Sequence, residues 1–167
     1  ESFKKLLDEN SISYIDNPII GDSLILDGKA KVYELPGYSE GLFYVQDSAA
    51  RMAIDYCDFV PGQNVLDCCA SPGGKTIAAA VKSRCKTNII SCDINERKVN
   101  SIVSNIKRLG LDNITPKVQN AAEYNPELVG KFDIVIADVP CSGFGVLTKK
   151  PDIRLKEKED ISNLPDI

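Results

Sequence analysis

The segment 65–76 (VLDCCASPGGKT) contains residues whose types and order suit the binding of a nucleotide-type ligand. Val65 and Leu66 predict a buried strand, and a helix is predicted to begin after Gly73 and Gly74. Two glycines let the backbone approach a ligand where a Cβ would clash. In parallel α/β sheets, ligands bind at the carboxyl ends of strands beside a helix N-terminus, so this turn is the predicted cofactor site. A purely structural strand-to-helix turn is the alternative.

Two common phosphate-binding motifs do not fit this segment. A P-loop requires G-x-x-x-x-G-K-[ST], and Cys69 stands where its first glycine is needed, although Gly74-Lys75-Thr76 matches the end. The dinucleotide motif G-x-G-x-x-G is also absent, because the nearby glycines are adjacent. The pattern disfavours NAD and FAD, and with them a dehydrogenase, and it indicates a different adenosine cofactor.

Two polar residues follow later predicted strands and extend the predicted cofactor site. Asp93 lies about 20 residues beyond the glycine turn, where α/β cofactor sites place an acid that accepts hydrogen bonds from ribose hydroxyls. Asn120 follows the third predicted strand of the sheet, at a position suited to reading an adenine amino group. A turn or capping role is the alternative for an aspartate after a strand.

The segment 138–143 (DVPCSG) follows the fourth predicted strand and supplies a possible acid and thiol. A transferase acting on an exocyclic amine would show an Asp/Asn-Pro-Pro-aromatic loop, and a cysteine stands here instead. Cytosine C5 becomes nucleophilic only after a thiolate adds to C6, and an acid near N3 accommodates the developing charge. Asp138 and Cys141 suit that chemistry, with the thiolate favoured by Lys149 and Lys150. An inert thiol in a Pro-Cys turn is the alternative.

Alternating strand and helix patterns are predicted to bring these groups to one edge of a sheet. The predicted elements are strands over 64–68, 88–92, 114–118 and 132–137, and helices over 75–84 and through the apolar positions 99–109, ended by Gly110. This order predicts an α/β fold with a Rossmann-like, doubly wound parallel sheet. Before the first of these strands, Asp47 or Ser48 is expected to cap a helix that runs to about Tyr56. Its predicted buried face consists of Ala49, Met52, Ala53 and Tyr56.

The first 40 residues predict a small α+β subdomain. Residues 1–10 suit a helix, and residues 23–26 and 31–35 suit a hairpin around Asp27-Gly28. Pro-Gly and Glu-Gly pairs place a domain boundary near residue 40. The predicted organisation is therefore a partial N-terminal subdomain over 1–40 and a sheet domain over 41–167.

Composition limits the partners of this chain. It has 167 residues, of which 43% are hydrophobic, so it can bury a core. Lys and Arg number 20 against 24 Asp and Glu, so any nucleic-acid site must be local. No apolar run suits a membrane span or a signal peptide, and a cytoplasmic location without membrane contact is expected.

Cysteine usage predicts free thiols and no metal site. Six cysteines lack C-x-x-C spacing, and the chain contains no histidine, which leaves a zinc site without support. Cys68, Cys69 and Cys92 lie in or beside apolar strand segments and are expected to serve as small core residues.

Segments 65–76, 138–143 and 151–154 (PDIR), together with 41–47 (GLFYVQD), resemble the Sun-type (Fmu, RsmB) family of S-adenosylmethionine-dependent RNA cytosine-5 methyltransferases. The resemblance covers roughly residues 40–155. More faintly, the preceding residues resemble the small RNA-binding subdomain of that family. The resemblance implies S-adenosylmethionine as cofactor and a structured RNA as substrate, with ribosomal RNA expected and transfer RNA as the alternative.

The resemblance also implies roles for individual residues. The methionine and ribose end of the cofactor is lined by Cys69, Ala70, Ser71, Pro72, Gly73, Gly74 and Lys75. Asp93 binds the ribose hydroxyls, Asn120 lies near adenine, and Asp138 lies beside the reactive centre. Asn120 departs from the acid that is usual in the family.

A larger departure concerns the nucleophile. The family is understood to attack with a cysteine in a Thr-Cys-Ser motif, while the Pro-Cys cysteine, here Cys141, assists product release. These 167 residues contain no Thr-Cys-Ser, so the sequence is interpreted as a C-terminally truncated methyltransferase that is inactive alone. Cys141 as nucleophile remains the alternative for that residue. A non-catalytic RNA-binding or assembly module that keeps the cofactor fold is the alternative for the whole chain.

Overall fold

The computed structural model describes residues 2–26, 31–147, 150–157, 162 and 164, and it begins with a helix and a small antiparallel sheet. Helix α1 (Ser2–Glu9) buries Leu7 completely. Strands β1 (Tyr14–Asp16) and β2 (Leu24–Leu26) pair antiparallel. The predicted helix at the start of the chain is therefore confirmed.

The partner of strand β2 differs from the prediction. A hairpin was expected between residues 23–26 and 31–35, but β2 pairs with β1, and Val32–Glu34 forms a 3-10 turn. The connection between β1 and β2 is closed by Asn17, whose Oδ1 accepts hydrogen bonds from two following backbone N–H groups at 2.9 and 3.2 Å. This side-chain turn fixes the pairing. The predicted Asp27-Gly28 turn lies outside the described residues.

Helix α2 (Ser48–Asp55) begins where the sequence predicts. The Asp47 carboxylate caps it by accepting a hydrogen bond from a first-turn N–H group at 2.9 Å. The predicted inner face is wrong, because Ile54 is buried whereas Tyr56 is 84% exposed. Arg51 also points inward, and its guanidinium has three polar partners. These are the side chains of Asp22, Tyr44 and Asp55.

Four parallel strands form the central sheet. In chain order the elements are β3 (Asn64–Asp67), α3 (Gly74–Lys82), β4 (Asn88–Asp93), α4 (Glu96–Leu109), β5 (Ile114–Val118) and β6 (Ile134–Ile136). The strand order is β5-β4-β3-β6, and every neighbouring pair is parallel. The predicted Rossmann-like α/β sheet is therefore confirmed. The connection from β5 to β6, residues 119–133, consists of turns and contains no helix.

Small and branched apolar side chains pack the helices onto this sheet. The main core cluster joins Val65, Ile89, Ile114 and Ile136 of the strands with Ala78, Ala79 and Ala80 of α3 and Ile102 and Ile106 of α4. Alanines on the inner face of α3 let that helix approach the sheet closely. Helix α4 ends at Gly110, whose φ of +65° is the left-handed conformation of a C-terminal glycine. The loops at the sheet edge are thus held by a rigid scaffold.

The chain around residue 40 packs directly on helix α4. Arg108 Nη1 donates hydrogen bonds to the carbonyl oxygens of Tyr38 and Phe43 at 2.8 and 2.9 Å. The guanidinium also lies 4.0 Å from the centre of the Tyr38 ring. Between these residues, Gly41 has a φ of +72°, and a Cβ on it would overlap the Arg108 carbonyl oxygen. The backbone contact at Gly41 therefore requires glycine.

Gly41→Ala is expected to destabilise the protein by about 2–4 kcal/mol, because a left-handed backbone penalises a Cβ and the overlap adds to that penalty. Gly130→Ala is the matched control, since its φ is +68° and no described atom lies within 4 Å of its Cβ position. The control should cost about 1–2 kcal/mol, the conformational part alone. Urea unfolding of both variants measures the difference. Equal unfolding midpoints would show that the contact with α4 does not require glycine.

Candidate active site

The strand order creates a topological switch point beside β3. The chain runs from β3 through β4 to β5 in one direction and then returns to β6 on the other side of β3. Open α/β sheets bind ligands where the strand order reverses, outside the carboxyl ends of the strands. The loops that follow β3 and β6 there are the glycine turn and the segment 138–143. The two predicted parts of the site therefore meet at one edge.

The glycine turn is fixed to both neighbouring strands. The Cys68 N–H group donates to the Ile136 carbonyl oxygen in β6, and the Ala70 N–H group donates to the Cys92 carbonyl oxygen in β4, each at 2.9 Å. Gly73 then adopts a φ of +105° and forms the N-cap of α3. This conformation explains why position 73 requires glycine.

No backbone conformation of this kind explains why glycine occupies position 74. Its φ lies outside the left-handed region, and the nearest described atoms to a Cβ on it belong to Gln46, at 3.8 and 3.9 Å. Ordinary van der Waals contact of this kind would tolerate alanine, which also favours a helix more than glycine does. Conformation therefore does not require glycine at position 74, and the missing side chain lets a ligand approach the backbone there.

Asp93 ties the end of β4 to the glycine turn. Its Oδ2 accepts from the Ser71 N–H group at 2.9 Å, and its Oδ1 accepts from the Ile94 N–H group at 2.7 Å. Lys98 Nζ lies 3.1 Å from the same Oδ1. Burial alone would raise the pKa of Asp93, but these donors hold the pKa below its usual value. Asp93 is thus an ionised anchor of the turn, a role that sequence reasoning missed.

Asn120 lies near Asp93, but its side chain forms hydrogen bonds within the loop that follows β5. The adjacent Gln119 N–H group donates to the Asp93 carbonyl oxygen at 2.9 Å, which brings Asn120 to the predicted edge. Its Oδ1 accepts from the Ala122 N–H group at 3.1 Å, and its Nδ2 donates to Glu123 at 3.0 Å. The amide therefore stabilises the loop after β5, and adenine recognition by it stays a prediction.

A buried acid under the turn was not foreseen from the sequence. Asp67, at the end of β3, is fully buried, and its Oδ2 accepts from the Thr76 hydroxyl at 2.7 Å. Thr76 Oγ1 also lies 3.0 Å from Ser91 Oγ. Burial raises the pKa of Asp67 to about 6, against the opposing effect of the Thr76 hydrogen bond. A polar residue at the end of a buried strand, nine positions before a helical threonine, was the available signal.

Asp67→Asn is expected to change the pH dependence of stability. Between the unfolded-state pKa of 3.8 and the folded-state pKa of about 6, the unfolded chain ionises Asp67 while the folded chain keeps its proton. The wild-type protein therefore loses about 3 kcal/mol of unfolding free energy as the pH rises through this window, and the variant does not. Urea unfolding at pH 3.5 and pH 7.5 measures the two proteins. A variant-minus-wild-type difference that is constant with pH would contradict the assignment.

Lys75 and Asp138 join the glycine turn to the loop after β6. Lys75 Nζ lies 2.5 Å from Asp138 Oδ2, and the two side chains are 22% and 59% exposed. The sequence placed both residues at the site but did not predict that they pair. An exposed ion pair contributes at most about 1 kcal/mol to stability. Its effect is to hold an acid and a cation together at the switch point.

Cys141 is an exposed free thiol in the loop after β6. The segment Pro151–Leu155, a 3-10 helix, supports this loop through Ile153, which is 5% exposed and lies against Gly143. Lys156 Nζ donates to the Ser142 carbonyl oxygen at 3.0 Å. The loop that carries the thiol is therefore positioned by the chain that follows it.

The predicted cations near Cys141 are only partly described. Lys149 lies outside the described residues. Lys150 is exposed, and within the described part of the chain no ion pair or hydrogen bond joins it to Cys141. Lys156 contacts this loop through the Ser142 carbonyl oxygen, and Lys75 contacts it through Asp138.

The remaining cysteines near the site are poor nucleophiles. Cys92 is buried as predicted, and burial raises its pKa to about 11. Cys68 and Cys69 are only half-buried, less than predicted for core residues. Burial is the largest cause that raises the pKa of each of these two thiols. The Asp93 and Asp67 carboxylates raise the pKa of Cys69 further. Cys141 is the thiol of the site whose exposure suits a reaction.

Among the described residues, no group of three or more His, Cys, Asp or Glu side chains is arranged to hold a metal ion. In the same part of the chain, no helix has both the length and the apolar character needed to cross a membrane.

The chain is similar to known proteins both in sequence and in structure. The family model of 16S rRNA methyltransferase RsmB/F matches residues 56–167. Ribosomal RNA small subunit methyltransferase B of Citrobacter koseri is 33% identical over 167 residues, which cover 98% of this chain and 38% of that protein. The crystal structure of PH0851 has a TM-score of 0.89 at 26% identity, over 98% of this chain and 37% of that one. NSun6 from Pyrococcus horikoshii with SFG has a TM-score of 0.71 at 27% identity, over 80% of this chain and 34% of that one. The chain thus spans little more than a third of each relative.

Proposed function

The chain belongs to the 16S rRNA methyltransferase RsmB/F family, and we propose that the protein containing it transfers a methyl group from S-adenosylmethionine to carbon 5 of a cytosine in ribosomal RNA. The observation that carries this proposal is the meeting of the glycine turn, the Asp93 carboxylate and the Asp138–Cys141 loop at one switch point. The chain spans 38% of the Citrobacter koseri relative, so the activity belongs to the longer protein.

The glycine turn fits the proposed cofactor in two respects. Gly74 presents backbone without a side chain, and only Gln46 atoms lie within 4 Å of its Cβ position. Asp93 keeps acceptor capacity, because a carboxylate can accept about four hydrogen bonds and three donors contact it. We assign cofactor contacts to Cys69, Ala70, Ser71, Pro72, Gly73, Gly74, Lys75, Asp93, Asn120 and Asp138. When bound, the cofactor supplies an electrophilic methyl group.

Asp138 is proposed to act on the cytosine ring. Addition of a thiolate to C6 moves an electron pair towards N3 and makes C5 an enamine carbon that can take a methyl group. Asp138 supplies a proton or a hydrogen bond at N3 as that charge develops. Lys75 contacts the same carboxylate, so the pair must open when the base binds. A base then takes the proton from C5, the electron pair of that C–H bond forms the C5–C6 double bond as the C6–S bond breaks and the thiolate leaves, and N3 returns its proton to Asp138.

Cys141 is proposed to assist release of the methylated RNA, and the attacking thiol is proposed to come from a part of the protein outside these residues. The support is the resemblance of segments 138–143 and 151–154 to the RNA cytosine-5 family, in which the Pro-Cys cysteine has that role. The exposure of Cys141 and the support of its loop by Ile153 are compatible with a group that meets RNA.

RNA is the proposed partner, and residues 1–40 are proposed to be part of its binding subdomain. A net charge of -4 means that phosphate contacts must come from local groups such as Lys150, Arg154 and Lys156. Affinity for RNA should therefore depend strongly on salt. A cytoplasmic location, where ribosomal RNA is present, is part of the same proposal.

The experiment that tests the proposal is product analysis with the full-length protein. Unmethylated small-subunit RNA is incubated with methyl-labelled S-adenosylmethionine, digested to nucleosides and analysed by mass spectrometry. The label should appear in 5-methylcytidine. Label in N4-methylcytidine or in another nucleoside would contradict the C5 assignment. Cofactor and RNA binding without any methylation would favour the non-catalytic module.

A further inference from the structure

Gln46 is a buried amide without a partner, immediately before helix α2. Its Nε2 and Oε1 atoms are both buried, and neither has a hydrogen-bond partner among the described residues. Buried side-chain amides nearly always have partners, because an unmet donor or acceptor costs free energy. A side chain with both atoms unmet therefore indicates a ligand that completes it.

The position of Gln46 indicates where this ligand lies. Its Nε2 lies 3.8 Å from the Cβ position of Gly74, at the first residue of α3. Gln46 also lines a cavity of about 840 Å³ between the N-terminal segment and α2. That cavity is not lined by Asp93, Asp138 or Cys141, whereas the glycine turn adjoins them, so we place the ligand of Gln46 at the turn.

We propose that the Gln46 amide binds the amino-acid end of S-adenosylmethionine, with Nε2 donating to its carboxylate and Oε1 accepting from its ammonium group. This inference rests on the proposed function, which places the cofactor at the turn. The amino-acid end carries one anionic acceptor and one cationic donor, and an amide offers the complementary pair. The N-terminus of α3 and Lys75, on the same turn, favour the carboxylate electrostatically.

The test compares two ligands that differ only in this end. S-adenosylhomocysteine carries the amino-acid group, and 5′-methylthioadenosine lacks it but keeps the nucleoside thioether. Calorimetric titration of the full-length protein measures both affinities for the wild type and for Gln46→Met, an apolar residue of similar size. The control is Gln63→Met, because the Gln63 side chain accepts a hydrogen bond from the Val60 N–H group at the opposite end of β3.

Gln46→Met is expected to weaken S-adenosylhomocysteine binding roughly 10- to 100-fold, the usual value for hydrogen bonds to charged groups, and to leave 5′-methylthioadenosine binding within about twofold. Its melting temperature should be equal to or above that of the wild type, because an unmet buried amide is removed. Equal losses for both ligands, or no loss for either, would overturn the role of Gln46. A wild-type protein that binds neither ligand would overturn the proposed function and this inference together.

Discussion

Replacement of Cys141 by serine in the full-length protein is expected to permit one round of methyl transfer and to block the next, so that enzyme accumulates with its methylated RNA. If another thiol attacks C6, methyl transfer does not need Cys141. If Cys141 assists elimination of the adduct, its loss should reduce multiple-turnover rate by about 10²–10⁴-fold, the usual contribution of a positioned proton-transfer group. Rapid-quench kinetics should show an unchanged first turnover followed by arrest.

A mechanism-based trap separates this role from attack. RNA that carries 5-fluorocytosine at the target holds the C6 adduct, because fluorine cannot leave as a proton does. The adduct should form in the Cys141→Ser protein as in the wild type, and peptide mapping should place it on a different cysteine. Adduct on Cys141 that disappears in Cys141→Ser would make Cys141 the nucleophile. Cys85→Ser is the matched control, since Cys85 is also an exposed free cysteine and precedes β4, away from the switch point.

Asp138→Asn is expected to lower turnover by about 10²–10³-fold, comparable to the removal of one preorganised donor from a reaction centre. Asparagine keeps the size of the side chain but cannot supply a proton to N3. It also removes the ionic partner of Lys75, which lies 2.5 Å from the carboxylate. Single-turnover rates with saturating RNA and cofactor measure the loss in the chemical step.

Two controls test whether this loss is specific to the role of Asp138: a variant of another carboxylate, and the affinity for S-adenosylhomocysteine. Asp112→Asn removes the same charge from the turn between α4 and β5, away from the switch point, and should leave the rate within about twofold. S-adenosylhomocysteine affinity should fall far less than the rate in Asp138→Asn. A parallel fall of affinity and rate would show that Asp138 acts only through cofactor binding and not as an acid at the base.

The sheet could be predicted from the sequence because each of its signals is local. Branched apolar runs such as 88–92 and the 3-and-4 spacing that ends at Gly110 need no knowledge of the rest of the chain. The N-terminal hairpin failed because the competing turn is formed by a side chain. Asn17 closes the β1–β2 connection with its Oδ1, and an Asp-Gly pair elsewhere gave the stronger pattern.

The sequence predicts site residues that directly follow strands. It does not predict residues whose role depends on contacts across the fold. The placement of Asp93 and Asp138 at one edge of the sheet could be predicted because parallel strands end there. The Lys75–Asp138 pair, the buried Asp67 and the unpartnered Gln46 depend on distances across the fold, up to 63 positions apart in sequence for the ion pair. The inner face of α2 was predicted wrongly for the same reason. Arg51 points inward because it contacts Tyr44 and Asp22, which precede the helix in sequence.

The measurement that tests the central claim most directly is a crystal structure of the full-length protein with S-adenosylhomocysteine. We expect the homocysteine end at the turn formed by residues 69–75 and the ribose hydroxyls within hydrogen-bonding distance of the Asp93 carboxylate. The sulfur atom should face the loop that carries Asp138 and Cys141. Ligand in the cavity between the N-terminal segment and α2, or at the switch point with its ribose turned away from Asp93, would contradict this account.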